Sequence, residues 1–154
     1  MALVTRVFFD TTVLLGGYID FGASSIHAQQ VLDAVVEGTI ADARTAWHCC
    51  LEFYAVSTRL PAGYRLSPQQ ASTILSEILS TFHIEQLRAG ARESFIETAP
   101  DERVAGGRIY DAHIAEIARG AGAGMVVTDN RRHFTSLMKY GIRILSSAEL
   151  ANEL

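Results

Sequence analysis

Val4-Thr5-Arg6-Val7-Phe8-Phe9-Asp10-Thr11-Thr12 decides how this chain folds. Val7, Phe8 and Phe9 form an unbroken β-branched and aromatic run, the pattern of a strand covered on both faces. Asp10 closes that run. Ligands of an open parallel sheet gather just beyond the carboxyl ends of its strands, so an acid at this point is placed for chemistry. It is also placed to cap the next helix, because Asp is a favoured N-cap. The two readings separate on whether other acids converge on the same spot.

A second run of the same kind lies far along the chain. Met125-Val126-Val127 reads as a strand and is followed directly by Thr128-Asp129-Asn130. Ile142-Arg143-Ile144-Leu145 reads as a last strand, and Ser146 as the cap of a short final helix. Two weaker strands are expected at Thr45-Ala46-Trp47 and within Phe82 to Leu87. The intervening segments are helical. One has Ala28, Val31, Leu32, Val35 and Val36 on a face and stops at Gly38. Another has Trp47, Cys50, Leu51, Tyr54, Ala55 and Thr58 on a face, with Glu52 at its margin. Ser67-Pro68-Gln69-Gln70 is a capping box with Pro at the first helical position, ahead of a stripe through Ala71, Ile74, Leu75, Ile78 and Leu79. A shorter helix is expected over Ala91 to Ala99. Gly106-Gly107 opens one that begins near Arg108 and runs through Ile114 and Ile117. A further helix is expected over roughly Arg131 to Lys139, ended by Gly141. Gly16 to Ser25 reads as a flexible segment. Strands alternating with helices imply right-handed crossovers and a mainly parallel sheet between helices.

The composition fits one domain over residues 1–154, with 49% hydrophobic residues and a formal net charge of −4. No run of about eighteen apolar residues is present, so no membrane span is expected. The first residues lack a basic segment and an apolar leader pattern, and a cytoplasmic location is expected. The net charge supplies no general attraction to nucleic acid. The cations are nevertheless almost all Arg, with Lys139 the single Lys. Arg forks suit phosphate, although genomic base composition produces the same bias. Cys49 and Cys50 are adjacent within an apolar helical pattern and read as buried thiols.

If the first strand and Met125-Val126-Val127 are parallel neighbours, Asp10 and the Thr128-Asp129-Asn130 turn share one edge of the sheet. Asp111 lies early in a helix that starts on that edge, and Glu52 follows a strand that ends there. Clustered carboxylates repel one another unless a cation compensates them. With no Cys or His in the group, the oxygen donors suit Mg²⁺ or Mn²⁺ rather than zinc.

The chain resembles the PIN-domain ribonucleases, in particular the VapC-type toxins of toxin–antitoxin pairs. The matching motifs are Asp10-Thr11, Glu52, Gly106-Gly107-Arg108-Ile109-Tyr110-Asp111-Ala112-His113-Ile114-Ala115, and Val127-Thr128 followed by Asn130, His133 and Phe134. The resemblance implies a three-layer α/β/α sandwich with a mainly parallel central sheet. It implies Asp10, Glu52 and Asp111 as metal-binding acids, with Thr128 holding Asp10 and Thr11 in support. The family's fourth acidic position falls on Asn130, which lowers the charge of the site, and Asp129 is the adjacent candidate ligand. The implied reaction is Mg²⁺- or Mn²⁺-dependent hydrolysis of RNA. Arg108, Arg131 and Arg132 are the cations nearest the acids, candidates for RNA contact or for solvated helix ends. His113 is expected to pack or face solvent, and His133 to be structural. A small antitoxin and a homodimer are the implied partners, with an apolar groove beside Gly16 to Ser25 and the Leu51/Tyr54 helix as docking place.

Two rivals stand beside this reading. A phosphotransferase using Asp10 as nucleophile would want an acid two residues on, where Thr12 stands. A catalytically degenerate domain that only binds RNA or protein would account for Asn130.

Overall fold

The computed structural model describes residues 3–154. Five short strands form the centre: β1 (Val7–Phe9), β2 (Ala43–Ala46), β3 (His83–Glu85), β4 (Met125–Val127) and β5 (Arg143–Leu145). Their order across the sheet is β3-β2-β1-β4-β5. Every neighbouring pair is parallel, so the mainly parallel sheet expected is parallel throughout. Among the described residues, seven α-helices lie on both sides of it: α1 (Thr11–Tyr18), α2 (Ile26–Val36), α3 (Trp47–Ser57), α4 (Pro68–Thr81), α5 (Arg92–Thr98), α6 (Arg108–Gly120) and α7 (Ser147–Glu153).

The three residues of β1 and of β4 are fully buried, as their unbroken apolar runs require. The chain lays β2 and β3 outward on one side of β1, then crosses through α6 to lay β4 and β5 on the other. Between β1 and β4 the winding direction reverses, and a crevice opens past the carboxyl ends of such a pair. The register is fixed by Phe9 lying opposite Val127 and by the Asp10 N–H donating to the Val127 carbonyl at 3.1 Å. At the far end of the sheet Arg6 donates to Asp42 at 2.9 Å and to the Ala121 carbonyl at 2.6 Å. Arg44 joins Asp42 to Glu85. These guanidinium contacts, Arg44 foremost, hold the Asp42 carboxyl below its usual range.

Four local expectations are corrected. The weak strand stops at Ala46, and Trp47 already opens α3. The buried face of α3 is Cys49, Cys50, Phe53 and Ser57, whereas Trp47 and Leu51 are 42% and 55% exposed. Almost every residue of α3 is apolar, so spacing alone offers two stripes, and the exit direction of β2 selects one. The expected helix over Arg131 to Lys139 is instead two 3₁₀ turns, Arg131–His133 and Thr135–Tyr140. Their buried anchors, Phe134 and Leu137, are three residues apart, which suits three residues per turn. Gly141 ends the second turn in the left-handed region, at φ 79°.

Gly16 and Gly17 are not flexible either. They lie in α1, where it packs on α2, and a Cβ at Gly16 would stand 3.0 Å from the Ala28 Cβ. Glycine here permits close approach of two helices. Gly16→Val is therefore expected to lower unfolding stability by about 1–3 kcal/mol in urea denaturation, the usual range for overpacking. A flexible hinge would tolerate it.

Candidate active site

Asp10 stands at the N-cap of α1 but uses only its backbone there. Its carbonyl accepts from Val13 and Leu14, and its side chain makes no capping bond. The carboxylate turns across the β1–β4 boundary instead. Its Oδ2 accepts from the Thr128 hydroxyl at 2.8 Å and from the Thr12 hydroxyl at 3.0 Å. Both hydroxyls also accept backbone amides, Asn130 N–H on Thr128 and Asp129 N–H on Thr12, each at 3.0 Å. Asp10 is thus fastened to the turn after β4 by two side chains. The Thr11 backbone N–H lies near the carboxylate as well and helps to hold its pKa down.

Asp10 is 5% exposed, and no Arg, Lys or His pairs with it among the described residues. Burial raises its pKa from 3.8 to about 6, against the pull of the Thr128 and Thr12 hydroxyls, and the nearby charge of Glu52 pushes the same way as burial. The side chain of Thr11 is buried with its hydroxyl unpartnered, close to Cys49. Cys49 itself is fully buried, with its thiol pushed up to about 12, and Cys50 is likewise buried. Both are inert core thiols.

Asp111 sits in the first turn of α6, as its place after Gly107 implied. Its Oδ2 is 2.9 Å from His133 Nδ1, and that nitrogen is 2.7 Å from the side-chain amide of Asn130. A protonated Nδ1 donates to the Asp111 carboxylate, whereas an unprotonated Nδ1 accepts from the Asn130 Nδ2 amide group. A continuous chain of contacts therefore runs from Asp10 through Thr128, Asn130 and His133 to Asp111. Glu52 approaches Asp10 from α3.

Asp129 lies outside this group. Its carboxylate accepts the Ser147 N–H and hydroxyl, at 2.9 to 3.0 Å, and so holds the start of α7. Of the cations singled out, Arg131 is bonded to Glu149 at 2.7 Å, while Arg108 and Arg132 have no carboxylate partner among the described residues. Two residues take parts that the sequence reading did not give them: Thr12 bonds Asp10 and His133 meets Asp111. Thr12 was visible only as a hydroxyl two residues past a strand-ending acid, in the first turn of α1. His133 carried a signal in its spacing from Asn130, three residues along a tight turn.

No three His, Cys, Asp or Glu side chains among the described residues already close on one point. The acids singled out offer oxygen donors, and the central one, Asp10, is a buried carboxylate with no basic partner among the described residues. That chemistry fits a hard divalent cation that also takes water and substrate oxygens.

Beside Glu52 a largely apolar cleft of about 830 Å³ runs between α3, α5 and α6, with Trp47, Leu51, Phe95 and Tyr110 among its lining residues. No helix among the described residues is long and apolar enough to cross a membrane.

A five-stranded parallel sheet between helices, with acids at its switch point, defines an α/β protein with a candidate site at that edge. More narrowly, the chain belongs to the PIN domain family, whose model spans residues 6–132. Ribonuclease VapC40 of Mycobacterium tuberculosis (strain H37Rv) is 30% identical over 122 residues, covering 79% of this chain and 85% of that protein. The crystal structure of PAE2754 from Pyrobaculum aerophilum superposes with a TM-score of 0.62 at 18% identity, over 99% of this chain and 90% of its own. DNA-bound VapBC from Salmonella typhimurium gives a TM-score of 0.61 at 17% identity, over 94% and 99%. At such identities these two structures attest the α/β/α fold.

The raised pKa of Asp10 fixes a sign. Between about pH 4 and 6 the folded protein keeps a proton that the unfolded chain has released, so stability falls as pH rises through that window. The full effect is about 2–3 kcal/mol. In urea denaturation with EDTA present, Asp10→Asn is expected to remove this slope and to be the more stable protein at neutral pH.

Proposed function

We propose that this chain is a Mg²⁺- or Mn²⁺-dependent ribonuclease and the toxin of a toxin–antitoxin pair. The observation that carries the reading is the linkage of Asp10 to Asp111 through Thr128, Asn130 and His133 at the switch point of a PIN domain. A relative named as a ribonuclease supports it.

Asp10, Glu52 and Asp111 would hold the ion, with Asn130 as a neutral neighbour. When bound, a divalent ion supplies Lewis-acid chemistry, activating water and offsetting negative charge on a phosphodiester. The protein's own part is positioning. Thr128 and Thr12 occupy Oδ2 of Asp10, which leaves Oδ1 for a ligand. His133 occupies Oδ2 of Asp111 in the same manner. Arg108 and Arg132, with no carboxylate partner among the described residues, would meet RNA phosphate, whereas Arg131 is already engaged by Glu149. Asp129 serves α7 and is not proposed as a ligand. Hydrolysis adds the oxygen of water to phosphorus and breaks the bond to the 3′ oxygen, which leaves as a hydroxyl. The products are a 5′-phosphate and a 3′-hydroxyl.

A small antitoxin is the proposed partner, docking over the exposed Leu51 and Tyr54 of α3 and covering the site. A homodimer and a cytoplasmic location complete the reading.

Purified protein is expected to cleave RNA with Mg²⁺ or Mn²⁺ and not with EDTA. Asp10→Ala and Asp111→Ala should each lower kcat at least about 100-fold, as loss of an electrostatic active-site group does. Expression without the antitoxin should arrest growth, and Asp10→Ala should relieve the arrest. RNA binding with no cleavage under any divalent ion would leave the degenerate-domain reading in its place.

A further inference from the structure

We propose that Asp129 is a positioning residue: anchored on α7 by Ser147, it orients the Thr12 hydroxyl that holds Asp10. Resting on the ribonuclease reading, this role makes α7 part of the machinery that presents the acid proposed to hold the ion.

The Thr12 hydroxyl is where the effect is felt. A hydroxyl has one proton to give and two lone pairs that accept. The Thr12 oxygen lies 3.0 Å from Asp10 Oδ2 and 3.5 Å from the Thr128 hydroxyl oxygen, so its proton has two acceptors within reach. The Asp129 N–H, at 3.0 Å, occupies a Thr12 lone pair. With that side of the oxygen filled, the proton is directed at the carboxylate, the stronger acceptor. A displaced Asp129 amide would free the hydroxyl to rotate toward Thr128, and Asp10 would lose one of its two side-chain fasteners.

The amide is kept in place by the side chain of the same residue. Asp129 Oδ1 accepts the Ser147 N–H and the Ser147 hydroxyl, each at 2.9 Å, and Oδ2 lies 3.0 Å from that hydroxyl. Hydrogen bonds to a carboxylate are the stronger kind, and Ser147 is only 5% exposed. Arg131 ties the same turn to Glu149, but that pair is open to solvent and contributes little. The helix on which Asp129 is moored is itself firm. Ser146 and Glu149 close a capping box at its start, Leu150 is fully buried, and α7 packs on α2. An aspartate serving α7 alone would use only its carboxylate. Asp129 gives its carboxylate to α7 and its amide to Thr12, so a path of contacts runs from the core through Ser147, Asp129 and Thr12 to Asp10.

The test uses the full-length protein and three readouts: Mn²⁺ titration followed by electron paramagnetic resonance, RNA cleavage kinetics in Mn²⁺, and urea denaturation in EDTA. Asp129→Ala is expected to weaken Mn²⁺ binding about tenfold and to lower kcat by a similar factor with KM for RNA unchanged, as loss of a group that orients a ligand does. Ser147→Ala should act in the same direction and more weakly, since its N–H still donates. It carries the test if Asp129→Ala fails to fold. Asp129→Asn keeps an oxygen for Ser147 and should restore most of both losses. In a Thr12→Val background Asp129→Ala should weaken Mn²⁺ binding no further, because the two residues act in series. Three results overturn the proposal while wild-type cleavage upholds the nuclease reading. A lowered urea midpoint with Mn²⁺ affinity and kcat untouched would make the contact structural only. Asp129→Asn as defective as Asp129→Ala, with Ser147→Ala unaffected, would make Asp129 an ion ligand. Additive losses in the Thr12→Val background would place its action elsewhere. Mn²⁺ binding without cleavage by the wild type would overturn the nuclease reading alone, and the Mn²⁺ titrations would still decide the role of Asp129. Neither binding nor cleavage would overturn both.

Discussion

The site depends on one buried carboxylate held by two hydroxyls across a strand boundary. Asp10 follows the last residue of the central strand, and Thr128 follows the last residue of its neighbour. Parallel register sets the two side by side, and their hydrogen bond converts strand pairing into active-site geometry. Thr12 fastens the same oxygen from α1 and takes the Asp129 amide in turn. Every one of these bonds uses Oδ2. The arrangement fixes the carboxylate through one oxygen.

That placement opposes stability. A carboxylate buried this deeply with no cation favours its neutral form, and the negative charge of Glu52 adds to the cost. The hydrophobic layers around β1 and β4 offset it. The second acid is treated differently: Asp111 is part-exposed, lies at a helix N-terminus that favours negative charge, and is met by His133. His133 also touches the neutral Asn130, so an imidazole links that amide to the Asp111 carboxylate.

Much of this was legible in the sequence for physical reasons. Residues buried on both sides must be apolar throughout, so β1 and β4 announced themselves. Both capping boxes, at Ser67 with Gln70 and at Ser146 with Glu149, form as their spacing requires. Asp10, Glu52 and Asp111 could be expected on one sheet edge, because each follows a strand or opens a helix there. Other features were not. Asp129, offered as a candidate ligand, turns instead to Ser147, a contact across 18 residues with no local signature. An almost wholly apolar α3 hides which stripe is buried, and so hid the exposed Trp47 and Leu51 that build the cleft. The His48–His113 contact joins residues 65 apart in sequence and has no local signature. Gly16 and Gly17 carry the composition of a hinge, and only α2 packed against them shows that they serve close approach.

The account stands most directly on where a divalent ion binds. A crystal structure with Mn²⁺, located by its anomalous scattering, measures this. The account predicts an ion on Oδ1 of Asp10, shared with Asp111 and Glu52, with Asp129 still bonded to Ser147. An ion bound by Asp129, or bound elsewhere with Asp10 unliganded, would contradict it.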